Sequence, residues 1–281
     1  MTKISLPWKQ SVMIKYLLYT NTGASDMALN CVYSMIKSGI EKNDILLYTI
    51  DTDTENKFKD HNINVTKLDA SESICESNLF ADSKYQDWNT KGFHRVVHYK
   101  IKSIIDALST GDDIFYLDTD NVVFKDPREF VESVDSDIVI QDDSDIHGRW
   151  KSLCTGVVFI KSNEKTKLFY EKCLDLHMKN IELDKSTGDQ AAFNQVLVEK
   201  HRHGLSDLIV SVFPHEIFPN GQIYFESSVD KENMYLFHNN HISGLEAKVE
   251  RFKDNGYWYV DCDNFYNVLS GKICGQTQIT P

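Results

Sequence analysis

Several features that define other protein classes are missing from this sequence of 281 residues. No apolar run reaches membrane-spanning length, and residues 1–10 lack the apolar core and cleavage site of a secretion signal. The six cysteines form no Cys-x-x-Cys pair, and several lie near apolar runs, where a free cysteine acts as a small hydrophobic residue. These absences predict a soluble protein of a reducing compartment, the cytoplasm, without an integral membrane segment.

Basic residues are also scarce. The 30 lysines and arginines stand against 42 aspartates and glutamates, which gives a net charge of −12. This charge would repel a nucleic-acid backbone, so we expect no nucleic-acid partner. Hydrophobic residues make up 41% of the chain, enough to bury a large core. Since no repeat or low-complexity linker interrupts the sequence, we expect one domain over residues 1–269 and a polar tail over residues 270–281.

Apolar runs alternate with helix-like periods along most of the chain. The predicted strands are Met13–Tyr19, Asp44–Ile50, Val65–Leu68, Asp113–Leu117, Asp137–Gln141, Gly156–Lys161 and Leu208–Val212. The predicted helices are Met27–Lys37, Arg95–Leu108, Glu164–Met178 and Asp189–Glu199. This alternation favours a three-layer α/β/α sandwich around a mixed, mainly parallel sheet, with ligands bound at the carboxyl ends of its strands.

Two aspartates follow the apolar strand Asp113–Leu117. Because successive side chains of a strand alternate between its faces, Asp118 and Asp120 are expected to point the same way. Two carboxylates at the end of a buried strand are the hard oxygen ligands that Mg²⁺ or Mn²⁺ needs when it also holds a diphosphate. The alternative is a simple Asp-rich turn, because Asp and Asn bond their own backbone in turns.

The loops after the first two strands offer further polar groups. Thr20 and Asn21 lie between a strand and a helix, where small residues and free backbone amides suit a nucleotide. Asp51 directly follows the second strand. The first loop contains neither a P-loop nor a Gly-x-Gly-x-x-Gly motif, so an ordinary strand-to-helix connection also explains it.

Two later segments combine polar groups in the same manner. Asp189 occupies the position of a helix N-cap, and capping alone could explain it, while Gln190 could be a solvated side chain. In the segment from His238 to Arg251, an imidazole could complete the metal site, and cations on the following helix could neutralise phosphate oxygens. Individually, each of these residues is also an ordinary surface group.

The order of these motifs resembles the nucleotide-diphospho-sugar transferase family, the group related to plant cell-wall xylosyl- and arabinosyltransferases. The resemblance covers roughly residues 14–260. Its elements are Asp118-Thr119-Asp120 with Asp126-Pro127, Thr155-Gly156-Val157-Val158-Phe159-Ile160, Asp189-Gln190-x-x-Phe193-Asn194, Phe218-Pro219-Asn220-Gly221, and His238-Asn239-Asn240-x-Ile242-x-Gly244-x-x-x-Lys248-x-x-Arg251-Phe252-x-x-x-Gly256-x-Trp258. This ordered set is far more specific than an Asp-x-Asp pair alone.

The resemblance implies a GT-A-type fold and a metal-dependent glycosyltransferase. Such an enzyme moves a pentose or hexose from a nucleotide sugar, here UDP-linked, to a glycan or glycoside acceptor, with Mn²⁺ or Mg²⁺ and with retention of configuration. The implied metal ligands are Asp118, Asp120 and His238, although Asp118 could instead reach the ribose. Family members often have Trp where this chain has His241, so either histidine could be the third ligand.

The remaining roles implied by the resemblance concern the donor. Lys248 would stabilise the leaving diphosphate, and Asp189 and Gln190 would bond hydroxyls of the donor sugar as the other catalytic residues. The nucleotide-binding residues would be Thr20, Asn21, Asp51, Asp118, Thr119, Asp120, Gly244 and Lys248. No separate general base is needed, because a phosphate oxygen of the leaving group can accept the acceptor's proton.

Two other functions fit part of the sequence. The segment from Leu117 to Val122 resembles the start of haloacid-dehalogenase-type phosphatases, with Asp142 and Asp143 as a late acidic pair. That motif normally opens its domain, whereas more than one hundred residues precede it here. The second alternative is a nucleotide-sugar-binding protein that kept the fold without turnover. Release of UDP rather than phosphate from a UDP-sugar would distinguish the transferase from both.

Overall fold

The computed structural model describes residues 13–70, 84–87, 90–144, 152–183, 185, 188–262, 265 and 267. The polar tail predicted for residues 270–281 lies outside these ranges, so the predicted extent of the domain stays a prediction. Within these ranges, no helix combines the length and the apolar character needed to cross a membrane.

A seven-stranded sheet runs through the centre of the described residues. The strands, in chain order, are β1 Ile14–Tyr19, β2 Ile45–Thr49, β3 Asn64–Lys67, β4 Asp113–Leu117, β5 Asn121–Val123, β6 Ile138–Asp142, β7 Leu153–Ile160, β8 Val210–Phe213 and β9 Leu236–His238. The spatial order of the sheet is β3-β2-β1-β4-β7-β6-β8, and β5 pairs separately with β9. β7 is antiparallel to both of its neighbours, and the other pairs of this sheet are parallel.

Helices pack on both faces of the sheet. They are α1 Ser25–Lys37, α2 Thr52–Asp60, α3 Lys91–Ser109, α4 Arg128–Glu132, α5 Glu164–Glu182, α6 Asp189–Val198, α7 Gly221–Glu226 and α8 Leu245–Asp254. Side chains alternate along β4, so Phe115 joins a core with α1 and α2, whereas Tyr116 joins a second core with α3, α5 and α6. The predicted α/β/α sandwich with a mixed, mainly parallel sheet is therefore confirmed.

The strand directions bring three polar loops to one edge. β1, β2 and β4 are mutually parallel, so the residues that follow them, Thr20, Asp51 and Asp118, lie at the carboxyl ends of neighbouring strands. This edge is where ligands bind in open α/β sheets. The sequence pattern predicted these three strands within one residue at each end.

Sequence reasoning missed several short elements. The two-stranded sheet of β5 and β9 has only three residues in each strand, too few to show a period. A third apolar cluster formed by Val122, Tyr224, Phe237 and Phe252 packs β5, α7, β9 and α8 together. α2 was missed because it buries only Thr54 and Phe58, which leaves a mostly polar sequence.

Candidate active site

The turn after β4 presents the two aspartates. Asp118 N donates to Gly156 O of β7 at 2.8 Å, which continues the β4–β7 pairing past the end of β4. Asn121 is fully buried, and its Nδ2 donates to Asp118 O at 2.8 Å and Gly156 O at 3.1 Å. These bonds fix the turn, so the backbone that carries Asp118 and Asp120 is held on both sides.

His238 reaches the same place from the other sheet. In the antiparallel β5–β9 pair, Asn121 stands opposite His238, and this register sets the imidazole beside Asp120. The Nε2 atom of His238 lies 3.1 Å from Asp120 Oδ1. Ligand atoms of Asp118, Asp120 and His238 all lie within 4.8 Å of one another.

These three side chains fit a divalent cation. A Cβ atom at Gly156 would stand 2.2 Å from His238 Cε1 and 2.9 Å from Asp118 Oδ2, so only glycine leaves the space that they occupy. Two carboxylates and one imidazole suit Mn²⁺, a metal that accepts both oxygen and nitrogen ligands. The residues present are therefore compatible with the ion that the sequence predicts.

Lys248 balances the charge of Asp120. α8 begins after Gly244, whose φ of 90° favours glycine, and places Lys248 Nζ 2.6 Å from Asp120 Oδ2. Burial opposes ionisation of Asp120, but Lys248 and His238 hold the pKa of its carboxyl well below the usual range. Burial likewise opposes the charge on Lys248, and Asp120 raises the pKa of that amine. The site thus keeps charged groups of both signs in a largely buried environment.

Lys100 joins the two acidic segments, and sequence reasoning missed it. Its Nζ lies 2.8 Å from both Asp118 Oδ1 and Asp189 Oδ2. The side chain is buried, which disfavours its charge, yet the two carboxylates raise the pKa of Lys100. A signal existed, because Lys100 falls on the apolar face of the predicted helix, between the buried residues Val97 and Ile104.

Asp189 does not cap its helix. The N-cap of α6 is Gly188, and Asp189 is the first helical residue. Its carboxylate is buried against Lys100 and accepts a hydrogen bond from Thr155. Burial opposes the charge, but Lys100 lowers the pKa of Asp189. The capping explanation for Asp189 is therefore wrong.

A cavity of about 140 Å³ opens above these groups. The predicted residues in its wall are Thr20, Asn21, Asp118, Thr119, Asp120, Asp189 and Lys248. Lys100 and Tyr85, which were not predicted, also line it. One cavity therefore brings together loops from β1 and β4 with α3, α6 and α8.

A comparison with known families identifies the family of the chain. A sequence profile described as nucleotide-diphospho-sugar transferase matches residues 41–252. The chain belongs to this family. Asp118, Asp120, Asp189, His238 and Lys248 all lie inside the matched range.

Curated proteins resemble this chain at lower coverage of their own length. The UDP-galactose:fucoside alpha-3-galactosyltransferase of Dictyostelium discoideum is 25% identical over 287 residues, covering 89% of this chain and 43% of the relative. The UDP-D-xylose:L-fucose alpha-1,3-D-xylosyltransferase MGP4 of Arabidopsis thaliana is 25% identical over 193 residues, covering 62% of this chain and 52% of the relative. The chain thus spans about half the length of the curated relatives it matches.

A solved structure shows the same fold. The glycosyltransferase GlyE of Streptococcus pneumoniae TIGR4 superimposes with a TM-score of 0.57 at 13% identity, covering 92% of this chain and 63% of GlyE. At this identity the likeness concerns the fold alone. The GT-A-type fold that the resemblance implied is confirmed.

Four residues for which the sequence predicted a role lie outside the described cavity wall: Asp51, Gln190, Gly244 and His238, which stands behind Asp120. Asp51 caps α2 through a bond from Thr54 N to its Oδ1 at 2.7 Å, and the same oxygen accepts from Thr22 Oγ1 at 2.6 Å. It therefore ties the loop after β1 to the loop after β2. Gly244 stands at the start of α8.

Gln190 also points elsewhere. Its Nε2 donates to Asp143 Oδ2 and Ser152 Oγ, both at 3.1 Å. Asp143 additionally accepts from His241 Nε2 at 3.1 Å. His241 is thus engaged with Asp143, whereas His238 stands beside Asp120. Arg251, expected near phosphate, instead bonds the Asn239 side chain and the Asn240 carbonyl, both at 2.6 Å.

Proposed function

We propose that this chain is a divalent-metal-dependent glycosyltransferase that transfers a sugar from a UDP-sugar to a fucoside with retention of configuration. The observation that carries the proposal is the meeting of Asp118, Asp120, His238 and Lys248 beside one cavity, in a chain of the nucleotide-diphospho-sugar transferase family. The donor and acceptor classes come from the two relatives, whose names specify UDP-galactose or UDP-xylose and a fucose acceptor.

Asp118, Asp120 and His238 would hold Mn²⁺ or Mg²⁺, which supplies positive charge for the diphosphate of the donor. Lys248, 2.6 Å from Asp120, would add a second positive charge at the leaving group. This charge matters most when the bond to the sugar is broken, because negative charge on the diphosphate is then greatest. Thr20, Asn21 and Thr119 would face the nucleotide.

The donor sugar would lie against Asp189. Its carboxylate is paired with Lys100, which is also paired with Asp118. One buried lysine would therefore position both the carboxylate that binds the sugar and a carboxylate that holds the metal at the diphosphate. An oriented carboxylate fixes a sugar hydroxyl and hence the position of the anomeric carbon. A phosphate oxygen of the departing UDP would take the proton of the acceptor hydroxyl, so no carboxylate is required as a general base.

The linkages in the relatives' names support retention. UDP-galactose and UDP-xylose carry their sugars in the α configuration, and both relatives are named as forming alpha-3 or alpha-1,3 linkages. If this chain forms the same linkage as these relatives, its product carries an α-linked sugar on the fucoside.

The test is an assay with a panel of UDP-sugars, Mn²⁺ and a methyl fucoside, with separate measurement of UDP and inorganic phosphate. We expect UDP release that the fucoside stimulates, that EDTA abolishes and that added Mn²⁺ restores. A methyl galactoside serves as the matched acceptor control. The product anomer is read by NMR, and a β-linked product would contradict retention.

The same assay separates the alternatives. Phosphate release without UDP release would favour a phosphatase, although membership of the sugar-transferase family argues against it. Tight UDP-sugar binding without turnover on any acceptor would favour a binding protein that lacks catalysis. Turnover that persists unchanged in EDTA would contradict the metal dependence.

A further inference from the structure

Gln141 lies behind the imidazole of His238. It stands in β6 at a register shift of the β6–β7 pair, a bulge that redirects a side chain, and it is fully buried. Its Nε2 donates to the carbonyl oxygens of Phe218 at 3.2 Å and Pro219 at 3.1 Å. Its Oε1 lies 2.9 Å from Nδ1 of His238.

The two carbonyl groups decide the orientation of the Gln141 amide. A flipped amide would place its oxygen against two carbonyl oxygens, which only accept hydrogen bonds. Oε1 must therefore face His238 Nδ1, and that nitrogen must carry a proton to donate. Nε2 lies 3.1 Å from Asp120 Oδ1, and since a carboxylate oxygen only accepts, Nε2 donates to it here; this second proton is the one that a cation bound to Nε2 would replace.

One backbone group aligns both side chains. Pro219 O accepts from Gln141 Nε2 at 3.1 Å and from the backbone N of His238 at 3.2 Å. The amide and the imidazole are thus fixed relative to the same carbonyl. Cys154 Sγ also approaches Nδ1, but at 3.6 Å, and sulfur is a weak acceptor.

We infer that Gln141 is a positioning residue that keeps a proton on Nδ1 of His238 and thereby presents Nε2 to the divalent cation. This inference rests on the metal site of the proposed function. A partner on the non-ligating nitrogen fixes the ring and its tautomer in protein metal sites, and its loss lowers metal affinity about 10- to 100-fold. Gln141 also ties β6 to the Phe218–Pro219 loop, so the test must separate positioning from a purely structural role.

Two substitutions make this separation. Gln141→Met removes both the acceptor for Nδ1 and the donor to the loop, whereas Gln141→Glu loses the donor and keeps an acceptor. Mn²⁺ affinity, measured by the loss of the free Mn²⁺ signal in electron paramagnetic resonance, should fall about 10- to 100-fold in Gln141→Met. Mn²⁺ affinity should stay within about threefold of the parent in Gln141→Glu, because an acceptor for Nδ1 remains. Thermal melting should show the two variants to be equally destabilised, because both lose the donor to the loop. Equal losses of affinity in both variants would overturn the inference.

A matched control and a coupled variant sharpen the result. Cys154→Ala removes the other neighbour of Nδ1 and should leave Mn²⁺ affinity within about threefold, because the Gln141 bond is shorter and stronger. In a His238→Ala background, Gln141→Met should have no further effect on affinity, since residues acting through one interaction are not additive. An undiminished tenfold effect in that background would assign Gln141 a structural role.

The parent protein supplies a measurement that needs no substitution of Gln141. With ¹⁵N-labelled histidine and Zn²⁺ as a diamagnetic cation, long-range ¹H–¹⁵N NMR should show His238 metal-bound at Nε2 and protonated at Nδ1, with His238→Ala giving the assignment. Coordination through Nδ1 would overturn the inference while leaving the metal site intact. A parent that binds neither Mn²⁺ nor Zn²⁺ would overturn the proposed metal dependence as well.

Discussion

The acidic half of the site, Asp118 and Asp120, and its basic half, His238 and Lys248, are built in different ways. The aspartates are two residues apart and follow one strand of the central sheet. The imidazole and the amine lie 118 and 128 residues beyond Asp120 and come from β9 and α8. One half is a local feature of the sequence, and the other exists only when β9 and α8 dock against the strand end.

The two halves also differ in what supports them. The turn after β4 is held by bonds to the central sheet, from Asn121 and Asp118 to Gly156 of β7. The basic half depends on the three-residue β5–β9 pair and on the apolar cluster around Phe237 and Phe252. Asp120 joins the two halves, because it contacts both basic groups.

The largest effect is expected where the halves meet. Asp120→Asn should abolish Mn²⁺-dependent UDP binding. The affinity for UDP in the presence of Mn²⁺ should fall at least about 100-fold, because the metal loses a carboxylate ligand. The substitution should also lower the free energy of unfolding by about 3–5 kcal/mol, because it leaves buried Lys248 and His238 without their partner. Calorimetry with UDP and Mn²⁺ measures the first effect, and denaturant unfolding measures the second.

The control for this change is Asp135→Asn, which makes the same chemical change on a fully exposed side chain. It should leave UDP affinity and stability unchanged. Unaltered UDP affinity with unaltered metal dependence in Asp120→Asn would remove Asp120 from the metal site.

Removing the lysine of the basic half should affect the turnover number more than the affinity for the UDP-sugar. Lys248→Ala should lower the turnover number about 100-fold, the cost of losing one group that stabilises a developing negative charge. UDP-sugar affinity should fall less than about tenfold. Steady-state kinetics at saturating donor separates the two quantities. Lys253→Ala, on the same helix but paired with Asp261 at the surface, is the control. A loss confined to donor binding would make Lys248 only an anchor.

The two histidines test which one completes the metal site. His238→Ala should weaken Mn²⁺ binding at least about tenfold, because its Nε2 lies beside both aspartates. His241→Ala should change Mn²⁺ affinity less than about threefold, since His241 bonds Asp143 instead. Mn²⁺ titration followed by electron paramagnetic resonance compares them directly. The reverse order would transfer the third ligand to His241.

The smallest effect is expected at Asp189, which Lys100 links to Asp118 of the acidic half. Asp189→Asn should lower the transfer rate about tenfold, equivalent to one charged hydrogen bond lost in the transition state. UDP affinity should stay within about threefold, because Asp189 is assigned to the sugar rather than to the nucleotide. Asp175→Asn, an exposed aspartate on α5, is the control. A fully active Asp189→Asn enzyme would limit this residue to pairing with Lys100.

The central sheet could be predicted because its signals are local. β4 is an apolar run with a clear end, and its alternating faces match the two cores. β7 was placed with less accuracy. It begins at Leu153 rather than at the expected Gly156, because its first residues pair with the bulged end of β6. Pairing of that kind depends on a partner strand and leaves no period in the sequence.

The sequence predicted which residues form the site better than it predicted which of them pair with each other. Asp118, Asp120, His238 and Lys248 were identified by residue type and by order, and the structure brings them together. The bridge made by Lys100 was missed, since an isolated lysine on an apolar helix face gives no indication of which carboxylates it will meet.

The sequence by itself determined the strand–helix alternation and the two carboxylates at the end of β4, because periods of 2 and 3.6 residues are properties of neighbouring residues. Only the tertiary structure decided that His238 rather than His241 faces Asp120 and that Asp189 pairs with Lys100 instead of capping α6. These choices depend on the register of the β5–β9 pair and on the packing of α3 and α6 in one apolar core. Both are set by packing between residues far apart in the chain, where burial and charge pairing select one arrangement.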